Sequence, residues 1–128
     1  MAKRRVQIPD DIATEVQFRS DRTCCVCREK GKSIQIHHID EDPSNYDEDN
    51  LAVLCFECHN STQTGGGFGR KLDGHQILKY REDWYARVQK RRNMADIIAS
   101  AISAGAESKL EELIHLYFSQ QERLGPES

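Results

Sequence analysis

Two C-x-x-C pairs, Cys24-x-x-Cys27 and Cys55-x-x-Cys58, constrain this chain more than any other feature. Thiolates at that spacing are the ligand set of a closed, tetrahedral structural zinc site, which would tie two distant segments to one point. With 128 residues and a mean hydropathy of −0.72, the chain has a modest apolar core and needs such a staple. Disulfides are the other use of five cysteines, but the basic start Met1–Arg5 leads into no apolar segment of a secretory signal. The expectation is therefore metal rather than disulfides, a cytoplasmic location, and no membrane, since no apolar run approaches the roughly 20 residues of a span. Cys25 is left over and reads as a packed thiol.

Between the cysteine pairs, Ile34, Ile36 and His38 alternate with Gln35 and His37, the period-two pattern of a strand. Adjacent histidines on a strand point to opposite faces, so His37 and His38 cannot share one role. A turn-rich acidic loop, Glu41–Asp49, precedes a second strand, Leu51–Leu54, expected to pair antiparallel with the first. Cys55 ends that strand, and a helix is expected over Cys58–Thr64 with His59 in its first turn. The result is a ββα unit in an α+β domain. Its histidines stand outside the cysteine quartet, on a strand and a helix, and mark a second, open metal position.

Flanking elements complete the expectation. Ile8-Pro9-Asp10-Asp11 opens a short helix, with Ile12, Val16 and Arg19 on one face, that would cover the zinc module. Residues 64–71 form a glycine-rich connector carrying Arg70 and Lys71; it does not match a nucleotide P-loop. Asp73 and Gln76 form a capping box for a helix through about Arg92, with Ile77, Tyr80, Trp84 and Val88 at helical spacing. We read Tyr80 and Trp84 as packing residues, and Lys79, Arg87, Lys90 and Arg91 as a basic face. Composition then changes, which divides the chain into a domain over 1–92 and a helical appendage over 93–128. Within the appendage, Ile97, Ile98, Ala101 and Ile102 suggest a short helix ended by Gly105. Ser108 and Glu111 suggest the capping box of another, with Leu110, Leu113, Ile114, Tyr117 and Leu124 on one side. Such a helical hairpin would pack on the core, form a homodimer, or dock a larger protein partner through 93–124.

The net charge of −3 hides a strong segregation. Residues 37–60 carry seven acids and no Lys or Arg, while 61–92 carry eight bases against three acids. Residues 1–36 are also basic, with eight against five. Basic flanks around an acidic, histidine-bearing centre suit a site that holds a cation and meets phosphate at its edges.

The order Cys24-x-x-Cys27, His37-His38-Ile39, Asn50-Leu51 and Cys55-x-x-Cys58-His59-Asn60 resembles the HNH endonucleases of the ββα-metal fold, in their zinc-ribbon-bearing form. The resemblance is strong across 24–60, looser across 6–92, and does not reach 93–128. It implies a prokaryotic-type enzyme that hydrolyses DNA phosphodiesters, with zinc at the four cysteines and one catalytic divalent cation, Mg2+, Mn2+, Ni2+ or Zn2+. His37 and His59 would be ligands of the catalytic metal, His38 the general base, and Asn50 the residue orienting the loop behind that base. Many family members carry a histidine or asparagine where this chain has Gln63, whose amide oxygen is the expected substitute ligand. Asp40, or water, is the alternative. The chemistry is consistent with such a role: histidine titrates near neutral pH and can take a proton from water, and a cation stabilises the charged transition state. Rival readings are a non-catalytic zinc-ribbon module that binds DNA and an interaction adaptor acting through the C-terminal helices.

Overall fold

The computed structural model describes residues 6–63, 71–105 and 107–124. Among these, four helices and a two-stranded antiparallel sheet give a mixed α+β architecture. In order they are α1 (Asp10–Arg19), β1 (Ile34–His38), a 3-10 turn (Glu48–Asn50), β2 (Leu51–Cys55), α2 (Phe56–Gln63), α3 (Gly74–Ser103) and α4 (Glu107–Leu124). The chain forms two compact units, Met1–Val88 and Gln89–Ser128. No helix among the described residues is long and apolar enough to cross a membrane.

The two strands pair in the register Ile34 with Cys55 through His38 with Leu51, so His37 lies opposite Ala52. Alternation then sorts side chains to two faces. Leu51 and Val53 pack with Val16 of α1, and Ile8, Ile12, Ile34 and Ile36 close around them. Ala52 and Leu54 face the other way, into a cluster with Cys24, Cys25 and Cys55 and with Ile77, Trp84, Tyr85 and Val88 of α3. Every residue of β2 is buried as a result. This corrects the expectation for the first helix: α1 covers the sheet face opposite the cysteines, because its buried Val16 packs with Leu51 and Val53 of β2. Pro9 stands at the N-cap of α1, one position earlier than a first-turn proline.

The capping box of α3 is formed in both directions. Asp73 N–H donates to Gln76 Oε1 at 3.1 Å, and Gln76 N–H donates to Asp73 Oδ1 at 2.9 Å. At its start the helix runs close against the segment after β1. A Cβ on Gly74 would lie 3.1 Å from both Cγ2 and the carbonyl oxygen of Ile39, so glycine permits the approach. Ile77, Trp84 and Val88 are buried as expected, and the Trp84 indole N–H donates to Ser20 O at 2.8 Å. Tyr80 is exposed instead, and Arg81 and Tyr85 take the buried stripe.

Three boundaries differ from expectation. Helix α2 starts at Phe56, two residues before Cys58. Helix α3 does not stop near Arg92 but continues to Ser103, absorbing the expected short helix. No glycine or proline lies between 92 and 102, and Gln89 Nε2 donates to Asn93 Oδ1 one turn on, at 2.9 Å, in place of a break. Gly105, at φ +70°, ends the turn after α3, and α4 begins at Glu107, so Ser108 lies inside the helix rather than capping it. Ile97, Ile102, Leu116 and Phe118 are exposed.

Candidate metal centre and histidine cleft

Two short loops carry the cysteines to one place. The first knuckle follows α1 through Asp21 and Arg22, both in the left-handed region at φ 56° and 49°. Ser20 Oγ donates to Thr23 O at 2.6 Å and closes that turn. Cys25 N–H then donates to Val53 O at 3.0 Å, pinning the knuckle to the strand that ends in Cys55. Arg28 braces it from behind: Nε donates to Cys25 O at 2.9 Å, the guanidinium pairs with Asp83 at 3.0 Å, and it lies 5.2 Å from the centre of the Trp84 ring. The second pair spans the end of β2 and the first turn of α2, where Cys58 N–H donates to Cys55 Sγ at 3.4 Å.

The outcome is a compact sulfur cluster. The Sγ atoms of Cys24, Cys27, Cys55 and Cys58 all lie within 4.8 Å of one another, and Cys27 and Cys55 are 3.7 Å apart. Tetrahedral zinc with Zn–S bonds of about 2.3 Å requires sulfur–sulfur separations of about 3.8 Å. The four cysteines are close enough together to hold a zinc ion. Burial raises the Cys58 thiol pKa, and repulsion from Cys24 adds to it; burial likewise raises that of Cys27. Cys24 is lowered despite its burial, because backbone groups of Cys55, Cys27 and Val26 favour its thiolate. Four crowded thiolates repel one another unless a cation sits among them, which is the charge problem that zinc solves. Cys25 belongs to the core rather than to the cluster, and burial pushes its thiol up to about 12.

A second feature lies on the other side of β1 from the α1 contacts. His37 and His59 meet edge to face, with ring centres 5.1 Å apart. They line an open cleft of about 270 Å³ together with Gln35, Ile36, His38, Glu41, Pro43 and Gln63. Burial, followed by the neighbouring His59, lowers the His37 pKa to about 4, so the imidazole is neutral at neutral pH and has a lone pair to offer. Gln63 Nε2 is committed to Thr62 Oγ1 at 2.8 Å, so its Oε1 is the donor it can present. His38 also lines a second space behind Val6, Gln7 and Ile8. The two imidazoles and amide oxygen suit a borderline divalent ion, though among the described residues only the cysteines are already drawn within ligand distance.

Asn50 braces the loop that follows the histidines. Its Nδ2 donates to Asp40 Oδ1 at 2.9 Å and to Asn45 O at 3.0 Å, and its Oδ1 accepts from Asp40 N–H at 2.9 Å. Asp40 is the hub of that loop, since its Oδ2 also accepts from Asn45 Nδ2 at 2.9 Å. Asn45 lowers the Asp40 pKa, with the Asp42 amide and Asn50 adding to it. Asp40 thus holds its own loop with both carboxylate oxygens. Two residues that sequence reasoning missed bear on this place. Arg81, 6% exposed, donates from Nη1 to Asp49 O at 2.8 Å and to Leu51 O at 3.0 Å, the carbonyls either side of Asn50. Its signal was an arginine on the buried stripe, four residues after Ile77 and three before Trp84. Glu41 lines the histidine cleft, and nothing in its sequence context separates it from the other acids of the loop.

Of the expected nucleic-acid contacts, Arg70 lies outside the described residues. Lys71, Lys79 and Lys90 are exposed, and Arg91 is half-buried. Arg87 is engaged by Asp83 at 2.9 Å. A scan against family models, a search of curated proteins and a search of solved structures each find no match.

Proposed function

We propose that this chain is a divalent-metal-dependent endonuclease that hydrolyses DNA phosphodiester bonds, as its resemblance to the HNH endonucleases implies. The observation that carries the reading is the cleft in which His37 and His59 meet with ring centres 5.1 Å apart and which His38 also lines. Zinc at the four cysteines has a structural part, fixing β2 to the start of α2 and so fixing His59 relative to β1. His37 and His59 would hold the catalytic cation, with a further place for the Gln63 amide oxygen or water, and the cation when bound would supply positive charge to the transition state and leaving oxygen. His38 takes the proton from the attacking water as its oxygen bonds to phosphorus and the bridging P–O bond breaks. Asn50 keeps the loop behind His38 in place. Lys71, Lys79, Lys90 and Arg91, with Arg70, meet the phosphate backbone.

Cleavage of supercoiled plasmid by zinc-loaded protein, wild type beside His38→Ala, tests this directly. Wild type relaxes or linearises the plasmid, EDTA stops it, added divalent metal restores it, and His38→Ala is inactive while folded and zinc-loaded. Equal cutting by His38→Ala overturns the mechanism. Retarded DNA with no cutting by either protein favours the non-catalytic DNA-binding module.

One observation favours a second activity in the other unit. Ile97, Ile102, Leu116 and Phe118 are exposed there, at 46%, 60%, 45% and 60%. Residues 93–124 dock a protein partner, a second copy of the chain being the first to test, by sedimentation of wild type against Phe118→Glu.

A further inference from the structure

We infer that Glu41 is a third ligand of the histidine cleft, making it a centre of two imidazoles and one carboxylate that takes a first-row transition dication in preference to Mg2+. The inference rests on the proposed reading of that cleft as a cation site and extends it to a residue and an ion class.

Position and availability single out this acid. Asp40 spends both carboxylate oxygens on Asn45, Asn50 and the Asp42 amide. Asp42 Oδ1 accepts from Ser44 N–H and Oγ, at 3.0 and 2.6 Å. Asp47 caps the 3-10 turn, and Glu48 pairs with Arg19 at 2.7 Å. Glu41 alone among the acids of the 40–49 loop lines the cleft beside His37, His59 and Gln63. Among the described residues, no hydrogen bond or ion pair holds its carboxylate. The backbone delivers it there. Glu41 N–H donates to His38 O at 2.9 Å, and Glu41 adopts φ +64°, a conformation that residues other than glycine and asparagine seldom take. That turn folds the residue back onto the strand carrying His37. Its side chain is on an exposed residue with three rotatable bonds, so the carboxylate can swing the remaining distance onto an ion held by the two imidazoles.

The donor set decides the ion. Mg2+ favours oxygen ligands and keeps most of its water, whereas imidazole suits Zn2+, Ni2+, Co2+ and Mn2+. Two histidines with one glutamate are a catalytic zinc set in hydrolases, open at the remaining position. The carboxylate also offsets one of the two positive charges, which two neutral imidazoles alone cannot do.

The test measures binding without DNA. Protein with zinc at the cysteines is titrated with Mn2+, followed by loss of the free-ion paramagnetic resonance signal, and with Co2+, followed by its visible absorption. Wild type binds one ion beyond the cysteine zinc, and millimolar Mg2+ does not displace it. Glu41→Gln, which keeps backbone demands and side-chain length, weakens binding about 10- to 100-fold and changes the Co2+ spectrum. Asp49→Asn, which removes the same charge from an exposed position of the loop, shifts affinity less than threefold. Binding by Glu41→Gln within twofold of wild type, equal losses in the two variants, or displacement by Mg2+ overturns the inference. Failure of the nuclease reading looks different: wild type binds the ion in a Glu41-dependent way yet leaves plasmid intact. Cutting by wild type with unchanged binding in Glu41→Gln overturns the ligand assignment alone.

Discussion

Arg81→Met should cost about 2–4 kcal/mol of stability and loosen the loop behind the histidines more than it loosens the rest of the first unit. The arginine side chain is 7% exposed and gives two hydrogen bonds from Nη1, at 2.8 and 3.0 Å, to the carbonyls of Asp49 and Leu51. Hydrogen bonds from a charged donor contribute about 1.5–3 kcal/mol each, which sets an upper limit near 6. Two effects lower it. Methionine has no buried charge to desolvate and keeps the apolar stem, and Asp49 is exposed, so water can reach its freed carbonyl. The ion pair with Glu82, itself 61% exposed, adds little. Urea unfolding of zinc-loaded protein at neutral pH measures the loss, and Arg81→Lys should fall between wild type and Met because a single ammonium cannot fork across both carbonyls. Amide exchange supplies the second readout. Ile39 N–H donates to Asn50 O and Asp40 N–H to Asn50 Oδ1, at 2.7 and 2.9 Å, so both should exchange faster in Arg81→Met by more than the global loss explains. A stability change under about 0.5 kcal/mol, or protection of those amides falling only in step with the core, would refute the reasoning.

Cys58→Ser should abolish zinc retention and cooperative unfolding of the first unit, because metal-binding energy at such sites is folding energy. Cys25→Ala, buried but outside the sulfur cluster, should keep one zinc, as metal analysis and near-ultraviolet dichroism would show. His37 makes stability pH-dependent with a defined sign. Its pKa is about 4 in the folded chain and near 6.5 unfolded, so in that window the unfolded state binds the extra proton and stability falls as pH drops. The loss is at most about 3 kcal/mol by pH 4, and His37→Asn should flatten it; parallel urea midpoints for the two proteins across that window would count against the burial argument. Gly74→Ala should destabilise by about 1–2 kcal/mol despite alanine's helix preference, since the new methyl meets the Ile39 backbone at 3.1 Å. A midpoint in urea at or above wild type would show that the start of α3 yields freely.

Local patterns carried much of this fold. Cysteine spacing, the alternation from Ile34 to His38 and the Asp73–Gln76 box each depend on residues within one or two turns, and all three reappear as expected. Helix length did not, because no strong breaker stands near Arg92 and helix continues by default where nothing stops it. The assignment of α1 also failed. Its one fully buried residue, Val16, fits either sheet face on composition, and only the strand register shows that the cysteine face is already filled by Ala52, Leu54 and α3.

For the site the division is sharper. The sequence by itself determined which residues could bind metal and that His37 and His38 must face apart, because ligand chemistry and strand pleating belong to the residues and their neighbours. Only the tertiary structure decided that His59 stands against His37, that Asp40 is spent on its own loop while Glu41 reaches the cleft, and that Arg81 grips the carbonyls around Asn50. The meeting of His37 with His59, the place of Glu41 beside His59 and the grip of Arg81 depend on where chain segments 18 to 32 residues apart come to rest, and no local pattern encodes such a distance.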